Sequence, residues 1–260
     1  GRLTTASGYA STAMGSGTTA SGDYSSAMGS DTTASGDYSS AMGKNTIASG
    51  SYSTAMGSGT IASGDNSTAM GRQTIASGSR STAMGDNTTA SDFASVVIGQ
   101  YNSSGSSATS AGSFSTSNTA FVIGNGADGS NKSDAFKVMF NGDTTVSNDL
   151  TVSGDVVVSS DARLKSNIVS LGSTLAKLLQ IDGKSYEMKG KQKIGVLAQE
   201  IKEVFPELVS EDDNEMLAVN YQGLVPVLIN ALKEQDEKMK EQDDKISRLE
   251  NLVEKLISNK

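Results

Sequence analysis

A fourteen-residue unit recurs along the first hundred positions and limits the fold more than anything else in the chain. TTASGDYSSAMGSD, TTASGDYSSAMGKN, TIASGSYSTAMGSG, TIASGDNSTAMGRQ and TIASGSRSTAMGDN run head to tail. Met14, Met28, Met42, Met56, Met70 and Met84 stand one unit apart, Ile98 takes the next place, and a glycine follows each. A short fixed period means stacked structural units. This unit is too short for a helix–turn–helix repeat but holds two short strands and two turns.

The columns of the repeat can be read physically. Thr/Ile, two Ala and Met are its only apolar or β-compatible columns, so they are predicted to face inward and stack from coil to coil. The glycine columns, Gly8 to Gly78 and Gly15 to Gly99, supply the positive φ or close backbone approach that tight corners need. Variable pairs such as Ser30–Asp31, Lys44–Asn45 and Arg72–Gln73, with positions 23–24 and their equivalents, are expected to face solvent. Coils spaced about 4.8 Å apart would make seven of them a rod of roughly 30 Å. Its inward residues are small, and at ~25 cal/mol per Å² one chain would struggle to offset its ordering entropy. Three parallel copies packed on Ala/Met/Ile faces would resolve this. A homotrimer is expected.

The unit A-S-G-x-Y-S-x-A-M-G resembles the repeat of YadA-like adhesin heads, whose motif runs roughly A-x-G-x-x-S-x-A-I-G. The resemblance covers residues 4–100, with a decayed echo in SAGSFSTSNTAFVIGNG at 110–126. Met replaces the family's usual Ile, a conservative exchange in a packed column. The resemblance implies a trimeric, left-handed parallel β-roll, expected over residues 1–126.

Composition changes near residue 160. The chain before it is poor in charge and rich in Gly, Ser, Thr and Ala; most Lys, Arg, Asp and Glu follow it. That shift marks the main boundary. The net charge of −8 argues against nucleic acid, which needs a basic stripe. Cysteine and histidine are absent, so disulfides, thiolate chemistry, Ser-His-Asp triads and His-ligated zinc are excluded, and no cofactor or metal is implied. No stretch is apolar over enough residues to span a membrane. Gly1 opens no signal peptide, as expected of a piece of something longer.

Residues 127–159 read as a connector. Apolar and polar residues alternate, with turns at Gly142–Asp143 and Gly154–Asp155. Val146, Leu150, Val152, Val156 and Val158 are expected in short strands that wrap or pair between three chains; a small sheet within one chain is the alternative. Residues 160–224 read as an α+β segment. A helix at 173–180 is predicted with Leu175, Leu178 and Leu179 on one face, and 195–209 as a strand entry and short helix stopped before Pro206. Residues 225–260 form heptads, with Val225, Leu232, Met239, Ile246 and Val253 at a and Leu228, Gln235, Gln242, Leu249 and Leu256 at d. A trimeric coiled coil is expected there.

Ser160–Asp161–Ala162–Arg163–Leu164–Lys165–Ser166–Asn167–Ile168 carries the pattern S-D-x-R-L-K-x-x-I. GVLAQEI…FPELV and LAVNYQGLVPVL…ALKEQ follow in order. Over residues 159–245 these blocks resemble the C-terminal intramolecular chaperone domain of endosialidases and phage tail fibres. The resemblance implies a domain that trimerises, guides folding of the fibre upstream and then cuts itself off. Interchain β-structure is slow to form and prone to aggregation, so such help has a physical motive.

The family's Ser-Lys dyad maps onto Ser160 and Lys165. A serine hydroxyl is a weak nucleophile until a base takes its proton, and lysine can do so only when neutral. Burial at a trimer interface would supply the required lowering of its pKa. Oγ of Ser160 reaches the Ser159 carbonyl through a five-membered ring, which favours scission of Ser159–Ser160. Ser160–Asp161 stays open if the serine acts otherwise or on a neighbouring chain. In the plain alternative, Ser160 caps a turn and Lys165 is solvated. Tyr24, Tyr38 and Tyr52 form an aromatic ladder that either stacks on sugars or covers the outer strand. The Thr4 to Thr88 column is similar to ice-binding solenoids but lacks an evident flat array.

Three function classes follow. The first is an extracellular trimeric adhesin, on a cell surface or in a virion tail fibre, that binds a receptor or glycan and is matured by self-cleavage. The second is a structural shaft whose tip lies upstream of Gly1. The third is a glycan-degrading spike, for which the repetitive part offers no pocket-forming domain.

Overall fold

The computed structural model describes residues 1–212 and 215–258. It forms two compact units, Gly1–Val156 and Val157–Lys260.

In the first unit each coil contributes a five-residue and a two-residue strand. The long strands, from Thr12–Ser16 through Ser26–Ser30 to Val96–Gln100, pair in parallel and in register, so that Met42 sits beside Met28 and Met56. The short strands, Thr5–Ala6 through Thr89–Ala90, form a second parallel sheet of seven. The fold is the expected parallel β-solenoid.

What fills it differs from expectation. Successive strand residues point to opposite faces, so in Ser26–Ala27–Met28 only one of Ala and Met can be inside. Ala27 and its equivalents to Ala83, Ala20 and its equivalents to Ala90, then Val97 and Val122, are fully buried. The columns Thr18 to Thr88 and Ser25 to Ser81 complete the interior, and their hydroxyls have no hydrogen-bond partner there. The space between the sheets admits only such small side chains. The methionines are therefore turned outward: Met14 is 53 % exposed and Met28 to Met84 are half-buried. Ile47, Ile61 and Ile75 also lie on the outside of their sheet. The expected inward Met column and an Ala face open to other chains are thus both corrected. The inward Thr column offers no surface to ice.

The end of the solenoid is closed by side chains that imitate a further coil. Asn102 accepts from the Thr89 N–H at 2.8 Å and donates to its carbonyl at 2.9 Å. Asp92 stands where earlier coils place glycine; fully buried, it accepts from the N–H groups of Thr109, Ser110 and Thr119 at 2.6–3.2 Å. These contacts tie down residues 101–118 and return the chain to the long sheet as Thr119–Asn125, parallel to Val96–Gln100. Asp134–Met139 and Thr144–Val146 then add antiparallel strands. The first half of the connector therefore pairs within its own chain. Leu150, Val152, Val156 and Val158 lie in no strand and stay exposed.

The second unit has a small core. Helix α1 (Leu175–Leu178), α2 (Ala198–Val204) and α3 (Leu224–Ser258) accompany two hairpins, Lys184–Met188 with Lys191–Gly195 and Val209–Glu211 with Leu217–Val219. Ile201, Phe205 and Val227 are buried together, with Leu178, Val196 and Leu224 against them. Leu179 departs from the predicted face. α1 lasts one turn, and Leu179, its C-terminal cap, is 76 % exposed.

α3 runs 35 residues, about 52 Å at 1.5 Å per residue. One stripe of it packs on its own unit, where Val227 and Ala231 are buried. The stripe one residue round, Val225, Leu228, Leu232, Met239, Ile246, Leu249, Val253 and Leu256, is at least half exposed. It coincides with the apolar positions of the expected heptad seam; residues 259 and 260 of the 225–260 segment fall outside the described part.

Glu234 of α3 joins the two helices. Its carboxylate accepts from the Ser173 hydroxyl at 2.5 Å, from the Leu175 N–H at 3.1 Å and from the Thr174 N–H, satisfying donors at the start of α1. The Ser173 hydroxyl first, then the Thr174 N–H, holds this carboxyl below the ordinary glutamate range. A carboxyl lowered on folding contributes stability that is complete above its unfolded pKa and lost as pH falls through the folded one. Glu234→Ala should therefore speed hydrogen exchange of the Thr174 and Leu175 amides at neutral pH. The difference from wild type should close once the pH lies below the depressed value.

Candidate functional site

Asp161 begins a helical turn just after the proposed cut. Its carboxylate accepts from the Arg163 backbone N–H at 2.8 Å and caps a single 3₁₀ turn, Ala162–Leu164. That turn folds residue 165 back over residue 160. Nζ of Lys165 donates to Oγ of Ser160 at 2.7 Å. The pair expected from the motif is thus within hydrogen-bond reach, with all of 159–165 exposed in the single chain.

The same geometry removes Asp161 as a competing base for the serine. The Arg163 guanidinium also binds its carboxylate, from Nε at 3.0 Å and Nη2 at 2.7 Å. That engagement holds the Asp161 carboxyl below its ordinary range. Arg163 was not singled out in the sequence, although it stands at a fixed place of the S-D-x-R-L-K pattern. Its part here is to hold the turn.

The second candidate surface lies on the solenoid. Tyr24, Tyr38 and Tyr52 stack with ring centroids 4.8 Å apart and planes within 9° and 1° of parallel. Tyr9, one column off in the sequence and therefore missed, meets Tyr24 edge-on at 5.4 Å. Each of the three stacked tyrosines is about half exposed. The rings cover one another's faces, so sugars cannot stack between them. The side chains neighbouring them are fixed by the turns: Asp23 accepts the Tyr9 N–H at 2.8 Å and Asp37 the Asp23 N–H at 3.0 Å. Tyr38 has its phenol pKa pushed up by partial loss of water and then by the flanking phenols and carboxylates, so it remains a donor at neutral pH.

Both parts of the chain resemble known families. Six overlapping segments between residues 6 and 102 match the YadA head domain repeat. Residues 160–210 match the chaperone of endosialidase, starting at the serine of the pair above. No curated protein matches the chain. Residues 6–102 are thus similar to YadA head repeats, and residues 160–210 after them to an endosialidase-type chaperone segment. Among the described residues no helix is long and apolar enough to cross a membrane.

Proposed function

We propose that this chain is a trimeric, extracellular adhesin or tail-fibre protein whose C-terminal segment assembles three copies and then severs itself from the fibre. The observation that carries the reading is the 2.7 Å contact between Lys165 Nζ and Ser160 Oγ at the first residues of the chaperone match. The outward Met and Ile columns and the exposed α3 seam support the trimer, since each leaves an apolar stripe uncovered in one chain. Exposed Tyr24, Tyr38 and Tyr52 support a binding surface on the roll.

The cut can be written through. Neutral Lys165 takes the hydroxyl proton as Ser160 Oγ attacks the Ser159 carbonyl carbon. The C–N bond of Ser159–Ser160 breaks, and the leaving nitrogen receives the proton from Lys165. An ester then links the Ser159 carbonyl to Ser160 Oγ. Water hydrolyses it, leaving a carboxylate on Ser159 and restoring the Ser160 hydroxyl beside a new α-amine. The base must be neutral to act, so the rate should rise with pH.

Denaturing gels and N-terminal sequencing of the expressed chain test this. Wild type should yield a fragment beginning at Ser160, while Ser160→Ala and Lys165→Ala should stay intact and keep their assembly state. Scission that persists in Ser160→Ala would remove the dyad from the mechanism.

A further inference from the structure

We propose that the tyrosine ladder is a binding strip for a linear β-1,4-linked polysaccharide lying along the solenoid axis, one sugar to each coil. The inference rests on the proposed reading of the roll as a binding surface and adds the ligand class.

Three observations carry it. The first is the period: Tyr24, Tyr38 and Tyr52 repeat at 4.8 Å from coil to coil. An extended β-1,4-linked pyranose chain is a flat ribbon that advances by nearly this step per sugar. An extended peptide advances about 3.3 Å per residue and falls out of step. Nucleic acid, with a charge every 3.4 Å or so along each strand, is out of step as well and is repelled by the adjacent Asp23 and Asp37.

The second is the face presented. Because the rings are stacked on one another, a ligand along the axis meets ring edges and phenol hydroxyls rather than ring faces. A regular file of hydroxyl groups suits the equatorial hydroxyls of such a glycan, where each contact is weak and the row acts together. The third is backbone cost. Tyr24, Tyr38 and Tyr52 all sit at φ of 57–58°, a left-handed conformation uncommon for a bulky side chain; other coils hold it with Ala10, Asn66, Arg80 and Ala94, so the turn itself does not call for tyrosine. Asparagine would meet the local need with less strain. Tyrosine at three successive coils therefore answers something other than the turn.

Titration calorimetry on the full chain with cello- and chito-oligosaccharides of two to six sugars tests this. Affinity should rise several-fold with each sugar up to about three, the span of the row, and then level off. Maltohexaose, whose α-1,4 linkage curls the chain, should bind at least tenfold more weakly than cellohexaose. Tyr24→Phe/Tyr38→Phe/Tyr52→Phe keeps the rings and removes the hydroxyls; it should lose at least tenfold. Unchanged binding by that variant, equal binding of maltohexaose, or no binding of either β-1,4 series would overturn the proposal. A glycan array separates this from the broader reading. Binding of some other glycan that is lost in Tyr24→Ser/Tyr38→Ser/Tyr52→Ser would leave the roll a binding surface with a different ligand. No tyrosine-dependent binding at all would remove both.

Discussion

Gly57→Ala should cost each chain roughly 4 kcal/mol or more, combining a forbidden backbone conformation with a steric overlap that has nowhere to relax. Gly57 has φ of 125°, and a Cβ built there would collide with the carbonyl oxygen of Gly71 in the next coil. The obstructing atom is backbone, held by the parallel pairing of Thr54–Ser58 with Thr68–Arg72, so moving it opens the sheet. Every coil repeats the arrangement, so the defect cannot pass to a looser neighbour. Gly59, two residues on, is the internal control. Its φ of 67° is left-handed too, but a Cβ would come no nearer than 3.4 Å, to the Gln73 side chain, and would meet Gln73 backbone atoms only at ordinary contact distance. Asn45, Gln73 and Asn87 already occupy the equivalent position with φ of 52–54°. Gly59→Asn should leave the denaturation midpoint nearly unchanged. Equal losses in the two variants would mean that coil stacking does not set the stability of this unit.

The second large effect is expected on the seam of α3. In one chain Leu232 is 71 % and Ile246 52 % exposed, so aspartate at either place disturbs nothing within that chain. In a three-stranded coil each substitution would bring three carboxylates to the axis, and a buried unpaired charge costs several kcal/mol. Leu232→Asp/Ile246→Asp should therefore leave the circular dichroism of a folded chain while the assembly separates into single copies at micromolar concentration. Val227→Asp is the contrasting change. That side chain is buried against Ile201 and Phe205 within its own unit, and its replacement should unfold the unit whatever the assembly state. Were the seam double variant to sediment as wild type does, the exposed stripe of α3 would not be an interface.

Much of this architecture is legible in the repeat. Identical residues fourteen apart must stack, and two glycine columns per unit imply two corners, so a two-sheet solenoid follows from spacing alone. Which side of each strand is inside does not follow from hydrophobicity. Met is the largest apolar side chain of the unit, yet Ala27 and Thr18 occupy the interior because the sheets leave no room for Met28. Adjacency along the strand would have indicated this, since Ala and Met in one Ala–Met pair cannot share a face. The end of the solenoid was hidden for another reason. Asp92 and Asn102 look like ordinary loop residues in the sequence, and only their bonds to Thr119 and Thr89 reveal a closing device. At the Ser160–Lys165 pair the motif placed both partners, whereas the turn that unites them depends on Asp161 engaging Arg163. For the tyrosines, column spacing predicts a ladder, but that the rings hide their faces from a ligand depends on side-chain angles that bring them within 9° and 1° of parallel.

The most direct measurement is the mass of the assembled particle. Mass photometry of the intact Ser160→Ala chain, which keeps head and chaperone segment together, should give one species at three times the mass of a single chain, stable on dilution. A monodisperse single chain would contradict the proposed assembly, since the outward methionines and the α3 seam would then have to remain open to water.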